Sequence, residues 1–341
     1  AYTAGIRSVF HRKKRSTVHY VHSNRKGDVM LKYVLKRLGY ILVTLWVIVT
    51  CTFFMMKNLP GTPFDAERFS IMTPQQQERV LEMYGLNDSL PMQYVKYIKN
   101  MLKGDLGTSF TYVNQDVSKV ITGRLGPSAL IGIQAVLIGL AIGLILGILA
   151  AWKHNSGIDY FTMILAVLGV SVPNFVAAAL LQYYIGLKWG VLPVGFWTGW
   201  NCSVLPSIAL SFSATAMVAR FMRTEMLDVL DQDYIVTARA KGLSQMKVLM
   251  RHAVRNSILP VVTILGPIVV NLMTGSLAVE NIFSIPGIGS LFVDCIKAND
   301  YPVIMGITIF YAAFYMLVVL LVDLAYSLID PRIRLAKGKE S

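Results

Sequence analysis

Charged residues are scarce in this sequence. Only 15% of its 341 positions are Asp, Glu, Lys or Arg, where soluble domains carry about 25%, and this excludes an ordinary water-soluble globule for the bulk of the chain. Cysteine is nearly absent. Cys51, Cys202 and Cys295 are too few for a disulfide framework, although a Cys202–Cys295 bridge is conceivable because both fall on the same side of the membrane in the topology given below. Neither Cys nor His falls at a metal-ligand spacing. The sequence lacks a Gly-x4-Gly-Lys-Ser/Thr phosphate loop, a Gly-x-Ser-x-Gly elbow and a His-Glu-x-x-His pair. Those absences exclude the common routes to nucleotide hydrolysis, acyl transfer and zinc-dependent proteolysis on this chain. No low-complexity tract and no internal repeat is visible.

Apolar residues are abundant instead. They make up 55% of the chain, and mean hydropathy is +0.55. Runs close to the ~20 residues that cross a bilayer fall at 40–56, 128–151, 161–185, 204–221, 258–279 and 303–329. The pattern predicts an all-α polytopic membrane protein with six transmembrane helices. Segments 1–39, 152–159, 219–257 and 330–341 together hold 22 Lys and Arg against eight acids, and segments 57–126, 186–203 and 280–302 hold ten against ten. Basic residues gather on the cytoplasmic side, so the first set, including both termini, is assigned to the cytosol of a multi-pass plasma-membrane protein. The net charge of +13 lies beside the spans. It therefore reads as membrane orientation and contact with lipid, and no nucleic-acid partner is implied.

Between the spans the chain divides by pattern. Residues 1–29 read as a basic tail or upstream extension, because His11-Arg-Lys-Lys-Arg15 has no apolar periodicity around it and Met30 looks like a start. In 30–39, Leu31, Val34, Leu35 and Leu38 recur at helical spacing opposite Lys32, Lys36 and Arg37, the pattern of an interfacial amphipathic helix. The main membrane domain is 40–330, and a basic tail follows at 331–341. Segment 57–126 predicts a small helical extracytoplasmic insertion. Thr73-Pro-Gln-Gln76 carries a cap, a proline at the first helical position and a capping-box Gln. A second helix near 92–102 places Val95, Ile98 and Leu102 on one face.

The segment 222–257 is the most informative. Asp231 and Asp233 stand where a helix N-terminus favours carboxylates, and Gly242 stands where a helix stops. Ala238 and Ala240 are small enough to leave room for another protein's backbone. A short capped helix held between two spans suits docking by a soluble motor; an ordinary interfacial loop satisfied by headgroups is the structural alternative. On the following helix, Arg251, His252 and Arg255 read first as headgroup or packing contacts.

Seven stretches in order resemble the permease subunits of ABC importers in their peptide/nickel branch. They are Leu59-Pro-Gly-Thr-Pro63, Tyr84-Gly-Leu-Asn-Asp-Ser-Leu-Pro-Met-Gln-Tyr94, Gly104-Asp-Leu-Gly-Thr-Ser-Phe110, Ser171-Val-Pro-Asn-Phe175, Thr237-Ala-Arg-Ala-Lys-Gly-Leu243 with His252-Ala-Val-Arg-Asn-Ser-Ile-Leu-Pro260, Phe283-Ser-Ile-Pro-Gly-Ile-Gly289 with Asp300-Tyr-Pro302, and Val322-Asp-Leu-Ala-Tyr-Ser-Leu-Ile-Asp-Pro-Arg332. The likeness extends from Met30 to Arg334 and is to the first of two permease subunits. The general importer loop has Glu-Ala-Ala where Val236-Thr-Ala238 stands here, and the loop alone leaves peptide and nickel on equal footing. The resemblance implies a type I ABC importer permease fold and alternating access. It also implies a second homologous permease, two cytosolic ATPases and an extracytoplasmic peptide-binding protein. The chain itself would carry no catalytic residue and no cofactor, with ATP and Mg on the ATPases. Coupling to the ATPase is then assigned to Asp233, Tyr234, Thr237, Ala238, Arg239, Ala240, Lys241, Gly242 and Leu243.

Polar residues inside spans are expensive and therefore suspect. Asn174, Gln182, Ser211, Asn271, Thr274 and Ser276 are candidates to line a translocation path, with interhelical hydrogen bonding as the structural alternative. Glu280 is a candidate outer gate or receptor contact, or else a solvated rim charge. Asp323 invites a proton-relay role and suits an ordinary pairing better. Pro173 and Pro267 are positions where helices can bend, and Trp189, Trp197 and Trp200 suit an interfacial belt. The competing functions are a nickel or other small-solute permease of the same branch, a secondary transporter, and a membrane scaffold or receptor. Peptide is favoured over nickel by the absence of His clusters along the path. The secondary transporter would need intramembrane ion ligands and inverted repeats.

Overall fold

The computed structural model describes residues 34–58, 69, 71–83, 86–112 and 115–329, apart from the side chains at 270, 271, 273–275 and 325–329. The 1–29 tail, residues 30–33, the Leu59-to-Pro63 stretch and the 331–341 tail lie outside the described residues, as do the side chains of Asn271 and Thr274. The chain forms two compact units, 1–52 and 53–341. The described part of the first is helical, the body of α1 (Val34–Lys57). Its Leu42, Val43, Trp46 and Val47 stand exposed, as side chains that face lipid would.

The second unit contains α2 (Pro74–Met83), α3 (Leu90–Met101), α4 (Val117–Trp152), α5 (Gly157–Ser171), α6 (Asn174–Leu181), α7 (Val204–Leu230), α8 (Asp233–Ala240), α9 (Gln245–Val248), α10 (Arg255–Ile282), α11 (Ile288–Lys297) and α12 (Tyr301–Ile329). Turns of π-helix extend α6 through Gln182–Lys188 and join α9 to α10 through Leu249–Val254. Among the described residues there is no β-strand, only an isolated bridge between Thr108 and Asp116. Helices satisfy their own backbone polar groups, the condition for crossing a bilayer.

Among the described residues, five helices are long and apolar enough to cross a membrane, and a sixth is counted if one bent pair is a single span. The expected span at 161–185 is that pair, bent at the Pro173 position where a bend is expected. Gly157–Ser171 and Asn174–Lys188 meet at 101°. Pro173 supplies the reason: it drives Val172 out of the helical region, to φ −83 and ψ 118, and has no N–H to carry the helix onward. Pro260 and Pro267, by contrast, lie inside α10 without ending it.

In the insertion, the expected capping box is closed. Thr73 N–H donates to Gln76 Oε1 at 2.9 Å and Gln76 N–H to Thr73 Oγ1 at 3.4 Å. The packed side of α3 differs from the expectation. Tyr94 and Tyr97 meet Phe53 with ring centroids 5.3 and 6.0 Å apart, whereas Val95 and Leu102 are 58% and 78% exposed. Aromatic rings offer more apolar area than Val or Leu and win the buried side. A buried carboxylate fastens the turn after α3: Asp300 accepts from Ser109 Oγ at 2.5 Å, from Phe110 N–H at 3.2 Å and from Thr111 N–H at 3.0 Å. Two of the motif stretches, 104–110 and 300–302, thus meet at one side chain. The conceivable disulfide is not formed, since Cys202 and Cys295 are free buried thiols.

The centre of the unit is the crossing of α4 and α7. Gly139, Gly143 and Gly147 form a stripe at every fourth residue of α4 and lie against α7. A Cβ at Gly139 would stand 2.7 Å from Ala214 Cβ, and one at Gly143 would stand 2.7 Å from Val218 Cβ and 2.8 Å from the Thr215 carbonyl oxygen. At Gly147 the nearest atoms are the Ala219 carbonyl oxygen and Met222 Cβ, each at 2.7 Å. Lipid supplies no hydrophobic drive between helices, so dispersion at close approach must hold them, and small residues permit that approach. Around the crossing, Ile131, Ala135, Leu210, Ala214, Val218 and Met222 form a buried core. Gly143→Ile is expected to destabilise the fold by on the order of 1–3 kcal/mol, read as a lower thermal midpoint of the purified protein in detergent. A midpoint equal to that of the parent chain would contradict the close crossing.

Candidate coupling and pathway site

Helix α8 owes its boundaries to local chemistry. Gln232, extended at φ −78 and ψ 146, precedes it, and Asp233 places a carboxylate in its first turn, where the helix dipole is positive. Asp231 is not at this N-terminus: it closes α7 as the C-terminal cap. The end of α8 is a Schellman turn. Gly242 has φ +77; its N–H donates to the Arg239 carbonyl at 3.0 Å, and Leu243 N–H donates to the Ala238 carbonyl at 3.4 Å. Only glycine adopts that backbone without strain.

The inward face of α8 is fixed by packing. Ile235 is 0% exposed and Ala238 6%, and both pack with Val248 against Val229, Leu230 and Leu243. The space beside Ala238 is therefore filled by the chain's own loop. The expectation that Ala238 offers room to another backbone is corrected, because it sits one turn from Ile235 on the side that packs. Ala240, Asp233, Tyr234, Thr237, Arg239, Lys241 and Gly242 are exposed, and Leu243 is half-buried. Tyr234 is also tethered, since Asn256 Nδ2 donates to its hydroxyl at 3.0 Å. Ser257 Oγ donates to the Glu225 carbonyl at 3.3 Å and ties α10 to α7. The result is a short rod, seated on the ends of α7 and α10, with a mixed-charge face open that includes Thr237, Arg239 and Ala240.

The proposed path residues divide. Asn174, the first residue of α6, is half-buried and lines a cavity of about 300 Å³ with Pro173, Ser213, Met217, Ile268 and Leu272. Its place at the break is what brings it there. Ser211 is buried, and its Oγ donates to the Ile208 carbonyl at 2.8 Å, closing on its own helix. Gln182 acts as a clasp: its Nε2 donates to the carbonyls of Val194 and Ile282, both at 2.8 Å. Both of its amide protons are thereby engaged between segments. Ser276 is buried and bonds the carboxylate of Glu280. Among the candidates with described side chains, Asn174 lines this cavity, and Ser211 lines a separate apolar one of about 760 Å³.

Glu280 is neither a rim charge nor an exposed contact, because it is 0% exposed. Ser128 Oγ donates to its Oε1 at 2.8 Å, and the N–H groups of Gly289 and Ser290 donate to its Oε2 at 2.8 and 3.1 Å. The carboxylate thus completes the N-terminus of α11, where both charge and hydrogen bonding favour it. Gly289 permits this approach, since a Cβ there would meet Leu277 Cα at 2.7 Å. Sequence reading missed Ser128, whose hydroxyl also accepts from Ile288 N–H at 2.8 Å. The two lie 160 residues apart, and no local pattern joins them. The glycine stripe also went unread, although its four-residue spacing is a local signal that could have found it.

Residues 143–335, more than half of the chain, match the family described as binding-protein-dependent transport system inner membrane component. Residues 30–126 match the N-terminal region described for such membrane components. The chain therefore belongs to this family, as a multi-pass ABC importer permease of the type I fold, and the secondary-transporter and scaffold alternatives fall away. Among its relatives are the dipeptide transport system permease proteins DppB of Lactococcus lactis subsp. cremoris, 46% identical over 90% of this chain and all of that one, and of Bacillus subtilis, 43% identical over 90% and 99%. The oligopeptide transport system permease protein OppB of Haemophilus influenzae is 39% identical over 89% of this chain and all of its own.

Gly242→Val is expected to fray the end of α8, since a β-branched residue at positive φ costs on the order of 1–2 kcal/mol. Hydrogen exchange at 239–243 should accelerate by about tenfold, with exchange in α4 unchanged. Equal protection in both proteins would rule out the Schellman stop.

Proposed function

We propose that this chain is one permease subunit of an ATP-driven importer of peptides, forming half of the translocation path beside a second homologous permease. Of two cytosolic ATPases, one would dock on α8 and the other on the corresponding rod of the second permease, and an extracytoplasmic binding protein would deliver peptide at the opposite end. The observation that carries this reading is α8 itself, a stopped, internally packed rod with an open face between two membrane helices. The relatives' names favour dipeptides or oligopeptides over nickel as cargo. Basic residues at 219–257 support placing α8, and with it both termini, on the cytosolic side. The chain carries no hydrolytic role in this scheme, and ATP and Mg would belong to the partner subunits.

The mechanism follows from rigidity. A motor that closes on ATP pulls the two permeases' rods together, and each rod moves the helices on which it sits. Shifting a two-state bundle from 1:99 to 99:1 requires about 5.5 kcal/mol of differential binding. A rod anchored through Ile235, Ala238 and the Tyr234–Asn256 bond transmits such a bias; an unanchored loop would dissipate it as its own disorder. The path itself binds peptide weakly through neutral amides such as Asn174, so release is not impeded.

Ala240→Trp places a bulky ring on the exposed face while leaving Ile235 and Ala238 packed. It is expected to abolish peptide uptake, at least about a hundredfold, if the docking face fits an ATPase as closely as interface cores do, while membrane insertion stays normal. Uptake of labelled di- and oligopeptides and of nickel is measured in cells lacking the chain and complemented with either form. Normal peptide uptake by the tryptophan variant would remove α8 as the docking element, and nickel-only uptake would replace the cargo.

A further inference from the structure

A second fastening lies outside the residues assigned above. Asp159, in the first turn of α5, is 2% exposed and is gripped by Arg223 of α7 in a two-pronged fork. Arg223 Nε donates to Oδ1 at 2.5 Å and Nη2 donates to Oδ2 at 2.8 Å. Asn155 N–H donates to Oδ2 at 3.0 Å, and His154 Nδ1 lies 3.1 Å from the same oxygen. The corner between α4 and α5 thus wraps the carboxylate, with Asn155 at φ +56 to make the turn. A Cβ at Gly147 would lie 3.2 Å from Arg223 N, so α4 closes against α7 at the same level.

The position of this fork is informative. Arg223 stands about two turns before the end of α7, and Asp231 and Gln232 lead from that end directly into α8. On the other side, α5 runs from Asp159 to the break at Pro173, after which Asn174 faces the cavity. A bidentate guanidinium–carboxylate pair fixes direction as well as distance. Buried ion pairs are weak evidence for stability, since apolar residues of similar volume often replace them without loss. What such a pair adds here is a stiff, oriented link between two helices.

We infer that Arg223 and Asp159 form a positioning strut that carries displacement of the α8 stem into the broken span, and hence to the path. The inference rests on the proposed function and deepens it. The test uses the complete transporter in proteoliposomes, measuring peptide taken up per ATP hydrolysed. In Asp159→Leu with Arg223→Met, the subunits are expected to assemble and hydrolyse ATP at near the parent rate. Peptide per ATP should fall about tenfold, within the range of coupling between distant sites. Arg223→Lys keeps the charge and loses the fork, and should lower the ratio in the same direction. Co-purified subunit stoichiometry and thermal midpoint are recorded for each variant. If the double variant does not assemble, the lysine variant decides. A parent-like ratio in an assembled variant, or equal losses of uptake and hydrolysis, overturns the strut while leaving the importer reading intact. Failure of the parent complex to import peptide overturns both.

Discussion

Helix α7 reaches its place only because α4 presents hydrogen atoms where side chains would be. At Gly139, Gly143 and Gly147 the two backbones approach within the distance at which a methyl group collides. Lipid tails are as apolar as leucine, so in a bilayer this contact, and not exclusion from water, brings the helices together. Almost everything else hangs on α7. It carries α8 at its end, bonds α10 through Glu225 and Ser257, holds α5 through Arg223, and lines the cavity with Ser213 and Met217.

The two ends of α10 are fastened by different chemistry. Near Arg255, the fastening is a small apolar cluster beneath α8, with hydrogen bonds from Asn256 to Tyr234 and from Ser257 to the Glu225 carbonyl. Near Ile282, it is polar and buried: Gln182 joins the Val194 and Ile282 carbonyls, and Glu280 caps α11 and holds Ser128 of α4. The first arrangement leaves an open face on a rigid rod, which suits docking. The second engages Gln182, Ser128 and Glu280 internally, which suits a fixed end against which a bundle can rock. Between them lies the 101° break at Pro173, where the path candidate Asn174 faces a cavity.

Much of this was legible from local pattern. The capping box at Thr73, the stop at Gly242, the break at Pro173 and the apolar runs each depend on residues within a few positions of one another. Backbone chemistry at that range is nearly context-free. The failures share the opposite property. Ala238 was read as open because a small residue leaves space, but whether a neighbour fills that space depends on Val248 and Leu243 across the loop. Linear pattern makes Gln182 and Ser276 path candidates and Glu280 a gate, receptor-contact or rim candidate, because polar side chains in or beside apolar runs need partners. For Gln182 and Glu280 the partners lie 100 and 152 residues away and are invisible to a linear reading, whereas Ser276 meets Glu280 one turn along its own helix.

From the sequence alone came the helical class, the membrane-length runs, the family resemblance and the short stopped helix between two spans, because hydrophobic length, proline, glycine and caps act through the chain's own covalent neighbourhood. The tertiary structure alone decided which face of that helix is open, which buried polar groups are already satisfied, and which helix binds Asp159. Those are questions of what lies beside a side chain once distant segments meet, and in lipid the answer is set by packing geometry and hydrogen-bond satisfaction, neither of which leaves a periodic trace.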